Sequence, residues 1–90
     1  MTQEHQDSVI DFPCDFAIKA MGLAVDNFDA LVVAIVRQHV PNLGEAAVSC
    51  KPSAAGKYLS VTISFEAESR AQLDNIYLAL SAEKRILMAL

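Results

Sequence analysis

Hydrophobic and polar residues alternate most regularly in the stretch YLSVTISFEA, residues 58–67. A repeat of two is typical of a strand that has one buried face and one face in water. The same alternation runs through residues 14–21, where Phe16, Ile18 and Ala20 fall on one side. The pattern therefore predicts a first strand over residues 14–21, which Gly22 ends.

Residues 26–39 carry their apolar side chains at helical spacing instead. The predicted stripe consists of Phe28, Leu31, Val32, Ile35 and Val36. Asp26 is the expected N-cap, Asp29 adds charge where the helix dipole favours it, and Pro41 prevents continuation beyond Val40. We predict the first helix here, although its β-branched residues also occur often in strands.

A second helix is predicted after Ser69, which forms a capping box with Gln72. Residues 46–51 are predicted as a short strand, and Pro52 indicates that this strand lies at a sheet edge. The final residues ILMAL are predicted as the last strand.

The predicted order is β-α-β-β-α-β, which is typical of the ferredoxin-like α+β sandwich. In this fold two helices cover one face of a four-stranded antiparallel sheet and leave the other face open. Residues 1–10 show no periodicity and are expected to form a flexible arm. Residues 11–90 are then expected to form a single domain.

Composition narrows the possible partners and locations. The formal net charge of −4 and the scattered positions of seven basic residues argue against nucleic-acid binding. The polar start of the chain and the short apolar runs indicate neither a secretion signal nor a membrane span. Cys14 and Cys50 show no metal-ligand spacing with His5 or His39, so we expect a cytoplasmic protein with idle thiols and no metal or cofactor.

Two segments resemble a known family. The stretches FPCDFAIKAMG and CKPSAAGKYLSVTISFEAESRAQLDNIYLALS are similar to the YbeD-like family of small bacterial proteins of unknown function. The resemblance implies a ferredoxin-like fold related to ACT domains, the regulatory modules that bind amino acids, and some members are labelled putative lipoate regulators. Ala54 departs from the family's usual serine, which puts any ligand role of that hydroxyl in doubt.

The loop between the second and third predicted strands is the first candidate site. Lys51, Ser53, Gly56 and Lys57 surround a turn whose amides and lysines could bind a phosphate or carboxylate. The loop lacks the spacing of a phosphate-binding loop, and a glycine is expected in a tight turn. A hairpin tip is therefore the preferred interpretation, with anion binding as the alternative.

The corner between the first strand and the first helix is the second candidate. The ACT resemblance implies a small ligand near Gly22 and the start of the helix, often at a subunit interface. Asp26 and Asp29 bring negative charge to the same place, so a capped helix after a turn is the simpler interpretation. His39 in the last helical turn is expected to be packed or half-exposed.

No residues with the spacing of a catalytic triad are present, and the expected open sheet face lacks the aromatic spacing of an RNA-binding domain. We therefore predict a non-enzymatic regulatory module that binds a small metabolite. The alternative is a protein-interaction adaptor that acts through the open sheet face or a helix face. Val33 and Leu78 either fill the seam between the helices or belong to an exposed patch. The edges of the sheet could also pair with those of a second copy, so a homodimer is a further possibility.

Overall fold

The computed structural model describes residues 11–90, so the predicted arm over residues 1–10 lies outside the described part of the chain. A 3₁₀ turn, Glu45–Ala47, precedes the second strand. The other elements, in chain order, are β1 (Cys14–Leu23), α1 (Phe28–Arg37), β2 (Val48–Pro52), β3 (Tyr58–Ala67), α2 (Arg70–Ser81) and β4 (Ile86–Ala89).

The strands form one antiparallel sheet in the order β2-β3-β1-β4. The two long strands β1 and β3 pair along their whole length, from Cys14 opposite Ala67 to Leu23 opposite Tyr58. The order confirms the predicted ferredoxin-like sandwich. It also confirms that Pro52 lies on an edge strand, where its missing N–H costs little.

The core lies between the sheet and the two helices. The alternation predicted the buried face correctly, because Ile18, Ala20, Val61 and Ile63 are all buried. The helices contribute the following buried side chains: Phe28, Val32, Val36, Leu73, Ile76 and Leu80. The period of each element therefore matches the surface that it must bury.

Gly22 does not end the first strand, as the sequence suggested, but lies inside β1. A β-carbon at this position would be 2.4 Å from the carbonyl oxygen of Arg85 and 2.5 Å from the Phe28 ring. The glycine is required because two other parts of the chain approach the strand closely here, and not because the strand stops.

Asp26 is not the N-cap of the first helix. The cap is Asn27, and no side-chain hydrogen bond caps this helix. Both residues adopt the left-handed conformation, with φ of 50° for Asp26 and 55° for Asn27. The amide of Leu31 donates to the carbonyl oxygen of Asn27 at 3.2 Å, so the backbone conformation of the loop starts the helix.

The predicted capping box of the second helix is confirmed. The amide of Gln72 donates to the Ser69 hydroxyl at 3.1 Å. The Gln72 side chain accepts from the amide of Glu68 at 2.7 Å and donates to the carbonyl oxygen of His39 at 2.9 Å. Gln72 therefore caps α2 and also binds the backbone just after the end of α1.

Two smaller predictions need correction. Ala46 and Ala47 lie in the 3₁₀ turn and not in a strand, because the local sequence has no alternation that would give them a buried face. Val33 is half-buried and packs against the core, whereas Leu78 is 68% exposed. Val33 therefore packs against the core, and Leu78 faces solvent.

Candidate functional site

The candidate site lies at the end of the sheet where β1 leaves it. The loop after β1 is bounded on one side by the β2–β3 hairpin, since the amide of Ala24 donates to the carbonyl oxygen of Lys57 at 2.9 Å. On the other side lies the turn before β4, where the Arg85 guanidinium donates to the carbonyl oxygen of Val25. The fold thus brings both predicted sites to one end of the molecule.

Arg85 holds this loop from two directions. Besides its hydrogen bond to Val25, its guanidinium lies over the Phe28 ring, 5.8 Å from the ring centre. Its own amide donates to the Glu83 carboxylate at 3.2 Å, which fixes the turn that carries it. Arg85 therefore acts as a structural cation, because one guanidinium N–H bonds to the loop and its planar face packs on the Phe28 ring.

The loop itself stores backbone strain. Asp26 and Asn27 are consecutive non-glycine residues in the left-handed region, which costs about 1–3 kcal/mol per residue unless the surroundings favour it. Asn and Asp tolerate this conformation better than other residues with side chains. Strain of this kind often accompanies a ligand-binding loop, and Asp26 in this loop is exposed to solvent.

A shallow groove of about 370 Å³ opens between this loop and the start of β4. Its lining residues are Leu23, Val25, Asp26, Lys84, Arg85 and Leu87. Three apolar side chains form its walls, and Lys84 and Asp26 supply one exposed cation and one exposed carboxylate. Such a surface suits a small molecule that carries a carboxylate, an amine or both beside a short apolar part.

The β2–β3 loop forms the tip of a hairpin, as the sequence analysis preferred. The amide of Gly56 donates to the Ser53 carbonyl oxygen at 2.9 Å, and the amide of Tyr58 donates to the Ser53 hydroxyl at 3.1 Å. Gly56 has φ of 76°, which explains the glycine. These internal hydrogen bonds occupy amides that an anion would need, so anion binding by Lys51 and Lys57 stays a prediction.

Apolar side chains are exposed beside the groove on the open face of the sheet. Leu23, Tyr58, Met88 and Leu90 are each at least 40% exposed, and Leu23 lies opposite Tyr58 in the β1–β3 pairing. Together these four residues form what we call the apolar strip. Exposed apolar surface of this kind often marks a contact with another molecule.

Sequence reasoning missed Lys84, Arg85 and Leu87. They lie about sixty positions from Asp26 along the chain, and only the pairing of β4 with the end of β1 brings them there. The dipeptide Lys-Arg before the final strand was the available signal, because the ferredoxin-like order places that strand beside the first one.

The two cysteines differ in exposure. Cys14 is half-buried, whereas Cys50 is exposed on the edge strand β2. Partial burial raises the pKa of the Cys50 thiol, and the negative charge of Asp29 raises it further. The thiol therefore resists ionisation, which is the opposite of what a nucleophilic cysteine requires.

Within residues 11–90, no group of three or more His, Cys, Asp or Glu side chains is arranged to hold a metal ion. Neither α1 nor α2 is long and apolar enough to cross a bilayer.

Comparison with known families gives one match over nearly the whole chain. The family described as "Protein of unknown function (DUF493)" matches residues 7–90. A UPF0250 protein of Janthinobacterium sp. is 45% identical over 80 residues, which is 89% of this chain and 88% of the relative. A UPF0250 protein of Chromobacterium violaceum is 39% identical over the full length of both chains. These matches confirm the resemblance that the strand and helix motifs suggested.

A solved structure supports the fold independently. The solution structure of protein HP0495 from H. pylori superimposes with a TM-score of 0.70 over 90% of this chain and 85% of that chain. The sequences are only 15% identical, so this likeness concerns the fold alone.

Proposed function

Because this chain belongs to the DUF493 family of bacterial UPF0250 proteins, whose function is unknown, we propose its role from the geometry of the β1–α1 corner. The protein is a non-enzymatic regulatory module of the cytoplasm that binds a small metabolite. Its ligand occupies the groove bounded by Asp26, Lys84 and Leu87. The observation that carries the proposal is the combination of opposite charges and apolar walls in this groove.

The chemistry of the groove defines the kind of ligand. Lys84 is exposed and free to bind a carboxylate, while the Asp26 carboxylate can accept from an ammonium group. Leu23, Val25 and Leu87 cover the apolar part of a small molecule. The groove thus fits a metabolite that resembles an amino acid, in agreement with what the ACT resemblance implies.

Asp26 has a different role here from the one that the sequence suggested. As a helix cap it would have worked against an anionic ligand. Since it does not cap α1 and its side chain is exposed, its charge is available to pair with a cationic group of the ligand. Gly22 contributes indirectly, because it allows the Phe28 ring and the Arg85 backbone to approach and shape the groove.

Amide NMR spectra of labelled protein would test the proposal during titration with amino acids, lipoate and simple phosphates. We expect saturable shifts in residues 23–28 and 84–87 for a compound of the stated class. Lys84→Gln should weaken this binding, whereas Lys19→Gln, which removes a lysine from the open sheet face, should leave it unchanged. Shifts confined to residues 51–57 would favour the hairpin as an anion site instead.

A second candidate function is supported by the apolar strip. A protein-interaction adaptor would use this exposed surface of Leu23, Tyr58, Met88 and Leu90 to bind a partner protein. In that case no small molecule would shift the corner resonances. Met88→Lys should then abolish the retention of one specific protein that the unchanged chain retains.

A further inference from the structure

Strand β1 is longer than its neighbour on the outer side. Its ten residues all pair with β3, but β4 pairs only with the last part, and Leu90 adds one more pair with Lys19. Within residues 11–90, no strand pairs with Cys14–Ile18 on that side. We call this five-residue edge the open edge of β1.

The backbone groups of the open edge are oriented for pairing. Lys19 and Leu90 exchange two hydrogen bonds, at 3.1 Å and 2.8 Å, so the N–H and C=O groups of Lys19 point toward β4. Since this direction alternates along a strand, the backbone groups of Ala17 and Asp15 point the same way. They offer donors and acceptors to an added strand that continues the line of β4.

The negative charges beside the open edge favour a partner strand that carries a positive charge. Asp15 and Glu66 are both exposed and lie directly opposite each other on β1 and β3. Like charges in such a pair repel, and neither carboxylate forms an ion pair within residues 11–90. A cationic side chain on an added strand would remove this repulsion.

The other side of an added strand meets apolar surface. Phe16 points to the helix side of the sheet, is half-buried, and packs edge to face against Phe65 with 6.4 Å between ring centres. A depression of about 470 Å³ lies at this end of the β1–β3 pair, and its remaining lining residues, Asp15, Ala17, Ser64 and Glu66, belong to the open face of the sheet. An occupant therefore needs apolar side chains on this face and basic side chains on the other.

We infer that the open edge of β1 binds an extended segment of a partner protein in which apolar and basic residues alternate. The segment adds as a fifth strand beside Cys14–Ile18. Its basic residue lies opposite Asp15, at the end remote from Leu90, because Lys19 would repel a cation placed nearer to Leu90. The other edge of the sheet is less suited to this role, since Lys51 and Pro52 lie on β2.

A labelled peptide of alternating lysine and valine is the probe, and a peptide of alternating glutamate and valine is its control. Fluorescence anisotropy should show saturable binding of the lysine peptide alone. Replacing both carboxylates, Asp15→Asn with Glu66→Gln, should weaken it about three- to tenfold at low salt. Asp29→Asn with Glu45→Gln removes the same charges elsewhere and should leave binding unchanged.

A proline variant tests the hydrogen bonds themselves. Ala17→Pro removes a donor that points away from β3, and we expect it to abolish peptide binding, while Ala54→Pro in the hairpin turn should have no effect. If Ala17→Pro does not fold, amide exchange of the unchanged protein decides the question. Bound peptide should slow the exchange of the Asp15 and Ala17 amides.

Three results would overturn the inference. They are equal binding of both peptides, unchanged affinity after removal of the two carboxylates, and slowed exchange along β2 in place of Asp15 and Ala17. The metabolite groove lies at the opposite end of the sheet, so Lys84→Gln should not affect the peptide, and either proposal can fail alone.

Discussion

At the scale of single residues, Gly22 connects the fold to the proposed site. Its missing side chain lets the Phe28 ring and the carbonyl oxygen of Arg85 pack directly against β1. Arg85 packs on the Phe28 ring and donates to Val25 in the loop that bears Asp26. A change at Gly22 should therefore affect both stability and the shape of the groove.

We predict that Gly22→Ala destabilises the protein by about 1–3 kcal/mol, because the new methyl group would overlap the Arg85 backbone and the Phe28 ring. Urea unfolding measures the change. Gly44→Ala is the matched control, since nothing lies within 4 Å of its β-carbon position and its φ of −97° suits alanine. That variant should be unchanged or more stable by about 0.4–1 kcal/mol. Equal stability of both variants would show that the close approach at Gly22 is wrong.

Cys50 gives a prediction of pH dependence. Burial, and then the charge of Asp29, raise the pKa of its thiol, so alkylation should need a higher pH than for an ordinary cysteine. Asp29→Asn should lower this pKa and speed alkylation near pH 8, but only in part, because burial is the larger cause. The rate is measured in a Cys14→Ser background, with Asp74→Asn as control. An unchanged rate for Asp29→Asn would contradict the electrostatic contribution.

At the scale of elements, the two helices begin in different ways. Helix α2 begins at Ser69, whose hydroxyl accepts from the amide of Gln72. Helix α1 begins at Asn27, which contributes a left-handed backbone and no side-chain hydrogen bond. Only the first kind can be predicted from the identity of the capping residue.

This difference can be measured with three substitutions. Ser69→Ala should cost about 1 kcal/mol, because the hydrogen bond to Gln72 is lost. Asn27→Ala should cost about 1–2 kcal/mol, since alanine has no local hydrogen bond to favour the left-handed conformation. Asn27→Gly should be neutral or stabilising, because glycine adopts a positive φ freely. A loss for Asn27→Gly as large as for Asn27→Ala would mean that the asparagine side chain matters after all.

How far the sequence predicted the elements depended on what each one buries. Strand β3 and helix α2 have regular periods because they face the core along their whole length. The strand forms over the predicted residues 58–67, and the helix begins after Ser69 as predicted. The segment before β2 has no such face, so Ala46 and Ala47 were placed in a strand that in fact starts at Val48. The error at Asp26 has another cause, since the loop is held by a distant residue, Arg85, which donates to the carbonyl oxygen of Val25.

The candidate site was only partly predictable for a related reason. Gly22 and Asp26 are close in sequence, and the family resemblance implied a ligand site near them. Lys84 and Leu87 join them only through the pairing of the first and last strands. The spacing of residues along the sequence does not reveal such a contact. It can be predicted only by assuming the fold and placing each residue of the last strand beside the first.

At the scale of the whole molecule, charge is separated along the strands. Four of the seven basic residues, Lys51, Lys57, Lys84 and Arg85, lie at the end where β1 leaves the sheet. Asp15, Glu66 and Glu68 lie at the other end. Asp26, Asp29 and Glu83 lie at the same end, so its four cations exceed its carboxylates by only one in an otherwise acidic protein.

The two proposals use opposite ends of this charge distribution. The metabolite groove lies at the basic end, with Asp26 as its local carboxylate, and the open edge of β1 lies at the acidic end. A regulatory module of this kind could bind a metabolite and a partner protein at the same time. Coupling between the two would require a change in β1, the strand that reaches both ends.

Amide NMR titration of the full chain with single amino acids tests the central claim most directly, because it locates binding residue by residue. We predict saturable shifts of residues 23–28 and 84–87 that Lys84→Gln weakens and Lys19→Gln does not. No shift in these residues at millimolar concentration of any amino acid, lipoate or phosphate would contradict metabolite binding at this corner.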